Sequence, residues 1–314
     1  MKIIFLDTTH PILVEMLTQK GFVCEVKNTL SKTEIENMLP EYEGVIVRSR
    51  FKIDPLFIDS GTHLKFIARP GAGLENIDVA YAESKGIKCL RSPEGNRDAV
   101  AEHCIGMLLS LFNNLKRADT EVRNGIWRRV ENWGLELKGK TIGIIGYGYM
   151  GEAFAQRLSG FGVSVLTYDK YKSNYTLGSN YITESTLQML FEEVDVLSLH
   201  LPLNNETNQL VNSHFLNQFK KNIYLLNTAR GGIVSLNDLA IEIEKGKVLG
   251  ACLDVFEFEE TSFEGTKLEL PEGMNYLTKS DKVLLSPHIA GWTHESNEKI
   301  ARVLAEKIIL EFPL

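Results

Sequence analysis

Cysteine is scarce in this chain, and what there is of it is scattered. Cys24, Cys89, Cys104 and Cys252 form no Cys-x-x-Cys pair and show no metal-ligand spacing, which argues against a disulfide framework or a zinc module, so no metal is expected. Each lies in an apolar run and is expected to be a small buried hydrophobe. Long apolar runs are missing too: none reaches the roughly 18 residues of a membrane span. Positive charge is in deficit, with 34 Lys+Arg against 41 Asp+Glu and a net charge of −7. No basic footprint therefore marks a nucleic-acid surface. The opening "MKIIFLD" is too short for a signal-peptide core and reads as a strand already inside the fold. The expected compartment is the reducing cytoplasm.

What the chain does have is alternation. Its 314 residues suggest two domains at roughly 150 residues each. Short apolar runs ("KIIFL", "GVIVR", "LKFIA", "IKCL") are separated by amphipathic stretches, and a second series follows in "TIGIIG", "VSVLTYD", "VDVLSLH", "IYLLNTA", "VLGACLDV" and "KVLLSPH". Nearly all-apolar strands spaced by helices indicate parallel sheets covered on both faces. The expected fold class is therefore α/β, with two doubly wound parallel-sheet domains, the second a Rossmann dinucleotide-binding domain, and a cleft between them. The break falls near a helix that starts at Asn96 or Asp98 and runs to about Lys116. Its apolar residues go nearly all the way round, so it should be buried on several sides. The last amphipathic stretch, from Glu295, can return the chain to the first domain. The expected division is 1–95 plus 292–314 for a discontinuous substrate domain and 96–291 for the dinucleotide-binding domain.

"KTIGIIGYGYMGEAFAQRL" sets Gly146, Gly148 and Gly151 after a strand and before a helix. Gly146 permits a tight turn, Gly148 lets backbone approach a pyrophosphate, and Gly151 allows close helix–strand packing. The helix N-terminus supplies N–H groups and the positive end of its dipole. Asp169 closes the next strand, 18 residues beyond Gly151, where a carboxylate can accept both ribose hydroxyls of NAD and repel a 2′-phosphate. Lys170 and Lys172 follow at once, which leaves NADP disfavoured but open.

Three strand ends in the second series carry residues suited to carbonyl–alcohol chemistry. Arg230 follows "IYLLNTA", Glu259 lies five positions past Asp254, and His288 follows "KVLLSP". A guanidinium fork matches the carboxylate of an α-keto acid. A histidine suits proton transfer to a nascent alkoxide at neutral pH, and a carboxylate behind the imidazole orients it. Gly231 and Gly232 would let substrate and nicotinamide pass close to the backbone. His103 and His200 sit in apolar surroundings and read as structural or supporting residues. In the first domain Arg48, Arg50 and Lys52 end a strand and could form a phosphate-binding patch. The 97–133 segment, with its all-round apolar helix and an arm bearing Trp127 and Trp133, predicts a homodimer.

Taken together, "RPGAGLENID", "GNRDAVAEH", "GKTIGIIGYGYMG", "NTARGGIVS", "GACLDVFEFEE" and "SPHIAG" resemble, in order, the signature segments of the NAD-dependent D-isomer specific 2-hydroxyacid dehydrogenases. The likeness is nearest to the phosphoglycerate dehydrogenase branch in its short form. It implies Arg230 as substrate-carboxylate binder, Glu259 as the acid behind histidine, and His288 as proton donor and acceptor. It implies cofactor contacts at Tyr149, Met150, Asp169, Leu201, Thr228, Ala229, Arg230 and Asp254. Gly71, Ala72 and Gly73 resemble a loop that holds the substrate carboxylate through backbone N–H groups. Phe258 stands where such enzymes often have proline, Glu257 and Glu260 flank Glu259, and Ala72 replaces a common threonine. The implied function is hydride transfer between NAD(H) and a small D-2-hydroxy acid, with 3-phosphoglycerate and serine biosynthesis as the first expectation and glyoxylate or hydroxypyruvate reduction as the alternative. Two other classes are compatible with the glycine loop: a non-catalytic NAD(H) sensor, and a methyltransferase that leaves Arg230 and His288 idle.

Overall fold

A computed structural model describes residues 1–176, 178–259, 270 and 272–314. Twelve strands are present among the described residues: β1 Lys2–Phe5, β2 Val23–Val26, β3 Gly44–Ile46, β4 Phe66–Arg69, β5 Lys88–Arg91, β6 Thr141–Ile145, β7 Ser164–Tyr168, β8 Ile182–Glu184, β9 Val196–Leu199, β10 Ile223–Asn227, β11 Val248–Leu253 and β12 Val283–Leu285. They form two parallel sheets, one per compact unit.

The first unit comprises Met1–Arg97 together with Trp292–Leu314, and its sheet has the order β2-β1-β3-β4-β5. Ile3, Phe5, Ile46, Phe66 and Ala68 on one face pack against Leu13 and Leu17 of the helix Pro11–Gln19, and against Ala301, Leu304, Ala305 and Ile308 of the C-terminal helix His294–Glu311. The chain's last helix thus completes the first core. A capping box at Thr293 and Ser296 starts that helix, and Lys307 clamps Glu94 at 2.8 Å. Gly95 is required here because a Cβ would lie 2.4 Å from the Ile300 nitrogen. β2 and β5 are edge strands with exposed ends and two partly buried residues between them. Cys24 and Cys89 are therefore only half-buried, against expectation, while Cys104 and Cys252 are buried. An apolar run at a sheet edge is covered on fewer sides than one at the centre.

The second unit comprises Asp98–Glu259 and the described part of 265–291. Its sheet has the order β12-β11-β10-β9-β6-β7-β8, so strand order reverses at the β6/β9 pair, the switch point where such sheets bind nucleotides. β6 shows why both faces are covered. Ile142 and Ile144 enter one core with Ala153, Phe154 and the helix Arg97–Phe112. Ile145 enters the other, with Leu197, Leu199, Leu225 and Leu239. Gly143 sits where a Cβ would meet Val194 at 2.6 Å. The helix Arg97–Phe112 buries seven side chains, including Cys104, Met107 and Leu108. The following helix Leu115–Arg123 buries none. No helix among the described residues is long and apolar enough to cross a membrane.

Candidate active site

The glycine loop leaves β6 at the switch point. Gly146 has φ +92°, and a Cβ there would lie 2.4 Å from the His200 carbonyl oxygen. A Cβ on Gly151 would lie 2.1 Å from the Gly146 oxygen. Gly148 differs: it caps the helix Tyr149–Arg157 with no side chain, and a Cβ there would meet nothing within 4 Å. Two glycines thus serve packing, while the third leaves an open cradle at a helix N-terminus, the arrangement that receives a pyrophosphate. Tyr149 is exposed and Met150 half-buried. Tyr147, bulky for such a loop, turns inward against Tyr175 with ring centres 4.7 Å apart, and burial pushes its hydroxyl up to about 12.

Asp169 braces the loop, one oxygen accepting the Tyr147 N–H at 2.8 Å and the other the Tyr171 N–H at 2.9 Å. The two lysines that left NADP open are both engaged: Lys170 pairs with Glu206 at 2.6 Å, and Lys172 donates to the Tyr147 carbonyl at 2.7 Å. The residues present fit a dinucleotide with a free ribose 2′-hydroxyl. Behind the loop, His200 is buried, bonded to Ser198 at 2.9 Å, and desolvation pushes it down to about 4. It is a neutral structural residue.

β10, β11 and β12 are neighbours, so their C-terminal ends share one edge. There His288 Nδ1 lies 2.8 Å from Glu259 Oε2, and the other Glu259 oxygen accepts the Phe256 N–H at 2.7 Å. Glu257 is not the partner; burial pushes its carboxyl up, and it faces the Leu236 backbone. Glu260 lies outside the described residues. Arg230 follows β10, with Nη1 donating to the Ala229 carbonyl at 2.6 Å. Gly231 has a packing cause beside the one expected. A Cβ on Gly231 would lie 1.9 Å from the Phe256 carbonyl group, so Gly231 is small because the segment leading to Glu259 crosses it. Arg230 and Glu259 are thereby held at one edge.

Asp254 also has a structural task. Its side chain is fully buried, and both oxygens are spent on the turn that carries His288. Oδ1 accepts from Ser286 Oγ at 2.6 Å and from the Ile289 N–H at 2.9 Å, while Oδ2 accepts the Ala290 N–H at 2.8 Å. The Asp254 carbonyl takes the His288 N–H at 2.7 Å. His288 itself has φ +55°, in the left-handed region that is uncommon for non-glycine residues and that histidine enters more readily than most. Of the other strand-end residues, Thr228 and Ala229 are buried, Thr228 facing Cys104 at 3.2 Å, and Leu201 is partly buried beside Gly146.

In the first unit Arg50 does not belong to a phosphate patch. Its guanidinium donates to the carbonyls of Leu6, Lys27 and Leu30, so it ties strand ends together. Arg48 is different: its guanidinium lies 5.4 Å over the exposed Trp292 ring. Trp292 escaped sequence reasoning because it is distant in sequence and carries no motif. Arg69 bridges the carbonyls of Arg48 and Gly73 at 2.8 and 2.7 Å, Arg91 takes that of Ala72 at 3.0 Å, and the Ser92 N–H takes that of Gly71 at 2.9 Å. Because a trans peptide sets C=O and the next residue's N–H on opposite sides, the N–H groups of residues 72–74 each point away from the donor that holds the carbonyl of their own peptide unit.

Comparison with known proteins accords with this geometry. Residues 105–290 match the NAD binding domain of the D-isomer specific 2-hydroxyacid dehydrogenases. A hydroxypyruvate reductase of Thermotoga maritima is 37% identical over 95% of this chain and 94% of its own. A D-3-phosphoglycerate dehydrogenase of Archaeoglobus fulgidus is 33% identical over 98% of this chain, which spans only 57% of that protein. A solved structure from Thermus thermophilus superposes with a TM-score of 0.81 at 29% identity, covering 99% of this chain and 97% of that one. The chain belongs to the D-isomer specific 2-hydroxyacid dehydrogenase family. It is an NAD-dependent oxidoreductase acting on the CH–OH group of 2-hydroxy acids.

Proposed function

We propose that this enzyme interconverts hydroxypyruvate, or a keto acid of similar size, and the matching D-2-hydroxy acid. The observation that carries the size limit is the inward turn of Arg50 onto three carbonyls, which leaves Arg48 alone of the two arginines read as a phosphate patch. NAD supplies the hydride acceptor, or as NADH the donor. The Gly146–Gly151 loop and Asp169 are the residues that would hold it.

The chain's own groups do the rest. Arg230 binds the substrate carboxylate through its planar fork. Glu259 can only accept, so His288 Nδ1 carries a proton toward it and Nε2 is the atom that exchanges a proton with the substrate oxygen. When His288 gains its second proton, the Glu259 charge at 2.8 Å stabilises the imidazolium. With the carbonyls of Gly71, Ala72 and Gly73 taken by other donors, the backbone N–H groups of this loop are proposed to receive the substrate carboxylate. Asp254 acts by holding the His288 turn, and a cofactor contact from this residue is retained as part of the proposal.

One observation favours a second reading. Arg48 on its Trp292 platform remains able to meet a phosphate, which would make 3-phosphohydroxypyruvate the substrate and serine biosynthesis the setting. The test is NADH oxidation with hydroxypyruvate, glyoxylate, pyruvate and 3-phosphohydroxypyruvate, ranked by kcat/KM. Hydroxypyruvate is expected first; a tenfold or larger preference for the phosphorylated acid, at about 1.4 kcal/mol, overturns the size limit and leaves the reaction class standing.

A homodimer is part of the proposal. Leu115, Val122, Trp127, Val130 and Trp133 are each more than half exposed, an apolar patch that a second copy would cover. Light scattering should give about twice the 35.3 kDa of one chain. The four free thiols agree with a cytoplasmic setting.

A further inference from the structure

His103 takes no part in the chemistry described so far, yet it touches the turn that carries the proton-transfer histidine. It projects from the helix Arg97–Phe112 and is largely buried, with 24% of its side chain exposed. Its Nε2 lies 3.1 Å from Ser286 Oγ, which lies 2.6 Å from Asp254 Oδ1. The protons along this row can be assigned. Asp254 is a carboxylate with its other contacts filled by backbone N–H donors, so it only accepts, and the single hydroxyl proton of Ser286 goes to it. Ser286 Oγ must then accept from His103, which places a proton on His103 Nε2. The nearest competing acceptor for the Ser286 hydroxyl is the Met107 sulfur at 3.8 Å, a weak one.

Asp254 is a fully buried carboxylate, and among the described residues the basic side chain within ion-pair distance of it is His103, at 3.7 Å. A buried charge needs donors on every side. Here the donors are the two N–H groups just after His288, the Ser286 hydroxyl just before it, and His103 behind that hydroxyl. His288 meanwhile sits at φ +55°, in the left-handed region that histidine enters more readily than most side chains, with its N–H on the Asp254 carbonyl at 2.7 Å. The Ser286 backbone N–H is held by the Leu253 carbonyl at 3.0 Å, and the orientation of its hydroxyl is what His103 sets.

We infer that His103 is a positioning residue: by donating to Ser286 it directs the Ser286 hydroxyl onto Asp254 and so fixes the turn that aims His288. This rests on the reading of His288 as the proton-transfer group. In this role it acts through Ser286 and not on the reacting atoms.

The experiment compares His103→Leu, His103→Gln, Ser286→Ala, the His103→Leu/Ser286→Ala pair and His288→Ala by steady-state kinetics with hydroxypyruvate and by NADH fluorescence titration. His103→Leu is expected to lower kcat about tenfold with KM and the NADH Kd within about twofold, because aim is lost and not binding. Gln, whose amide keeps a donor near the Nε2 position, should restore most of the loss. Ser286→Ala should match His103→Leu, and the pair should lose no more than either, since the two act in series. Additive losses, failure of Gln to rescue, or a shift confined to the NADH Kd would each overturn the inference. Should His103→Leu fail to fold, Ser286→Ala against Ser286→Thr reads the same link, and equal kcat in both overturns it. If His288→Ala itself keeps full activity, the functional reading has failed; if it is inactive while His103→Leu is unimpaired, only this inference has.

Discussion

The two sheets differ in the side chains that brace their C-terminal loops, although Asp7 takes the Arg48 N–H in the first and Lys172 and Arg230 take the Tyr147 and Ala229 carbonyls in the second. In the first unit arginines do it: Arg50 takes the carbonyls of Leu6, Lys27 and Leu30, Arg69 those of Arg48 and Gly73, and Arg91 that of Ala72. In the second unit carboxylates do it: Asp169 takes the N–H groups of Tyr147 and Tyr171, Glu259 that of Phe256, and Asp254 those of Ile289 and Ala290. A guanidinium that takes a carbonyl leaves the N–H across that peptide unit pointing away from it. Carboxylates that consume N–H groups hold acceptors and a histidine at the edge, which suits ribose hydroxyls and proton transfer. The same parallel-sheet architecture is thus braced mainly through carbonyls at one edge and mainly through N–H groups at the other.

The comparison can be broken most severely at Glu259. Glu259→Ala removes both the loop brace and the partner of His288, and kcat should fall by about 10²–10⁴-fold with the NADH Kd little changed. Rate measurements with excess NADH decide it; a loss of less than about fivefold would show that the pair at 2.8 Å is incidental to turnover.

On the first edge the corresponding brace is structural. Arg50→Ala leaves three carbonyls to find water and should cost about 2–4 kcal/mol of unfolding free energy, read from urea titrations. The residual folded enzyme should keep its kcat. A large kcat loss with unchanged stability would return Arg50 to the substrate.

Beneath the second edge, His200 supplies an acid limb. Its value in the folded protein, about 4, lies below the ordinary 6.5. Unfolding therefore takes up a proton between these values, and its contribution to stability is full above pH 6.5 and declines as pH falls toward 4. At pH 5 the wild type should have lost about 2 kcal/mol more than His200→Phe, relative to pH 7.5. Equal losses in the two proteins would remove the desolvated imidazole as the cause.

Arg48 gives the smallest and most selective effect. Arg48→Ala should leave the melting temperature within about 2 °C, since its guanidinium rests on an exposed Trp292 ring and not on buried carbonyls. It should lower kcat/KM for 3-phosphohydroxypyruvate about tenfold and that for hydroxypyruvate by less. Equal effects on both acids would mean that Arg48 does not sense the phosphate.

Much of this molecule could be read from its sequence, and the limit of that reading is physical. Spacing within one segment determined the alternation of strands and helices, the Gly146–Gly148–Gly151 loop, and the acid at the end of the following strand, because turn, helix start and strand end are all local. Strand-end position pointed to Arg230 and His288 for the same reason, while the choice of Glu259 over Glu257 and Glu260 rested on the family resemblance. Tertiary structure alone decided which of two arginines two residues apart faces inward, because the carbonyls that claim Arg50 come from Leu6, Lys27 and Leu30. It decided that Gly231 is small for the sake of the Phe256 backbone, and that Asp254 braces the His288 turn. It also brought His103 to Ser286 across 183 positions. A residue's chemistry is carried by its own side chain, but the groups that satisfy a buried charge or forbid a Cβ come from wherever the fold delivers them.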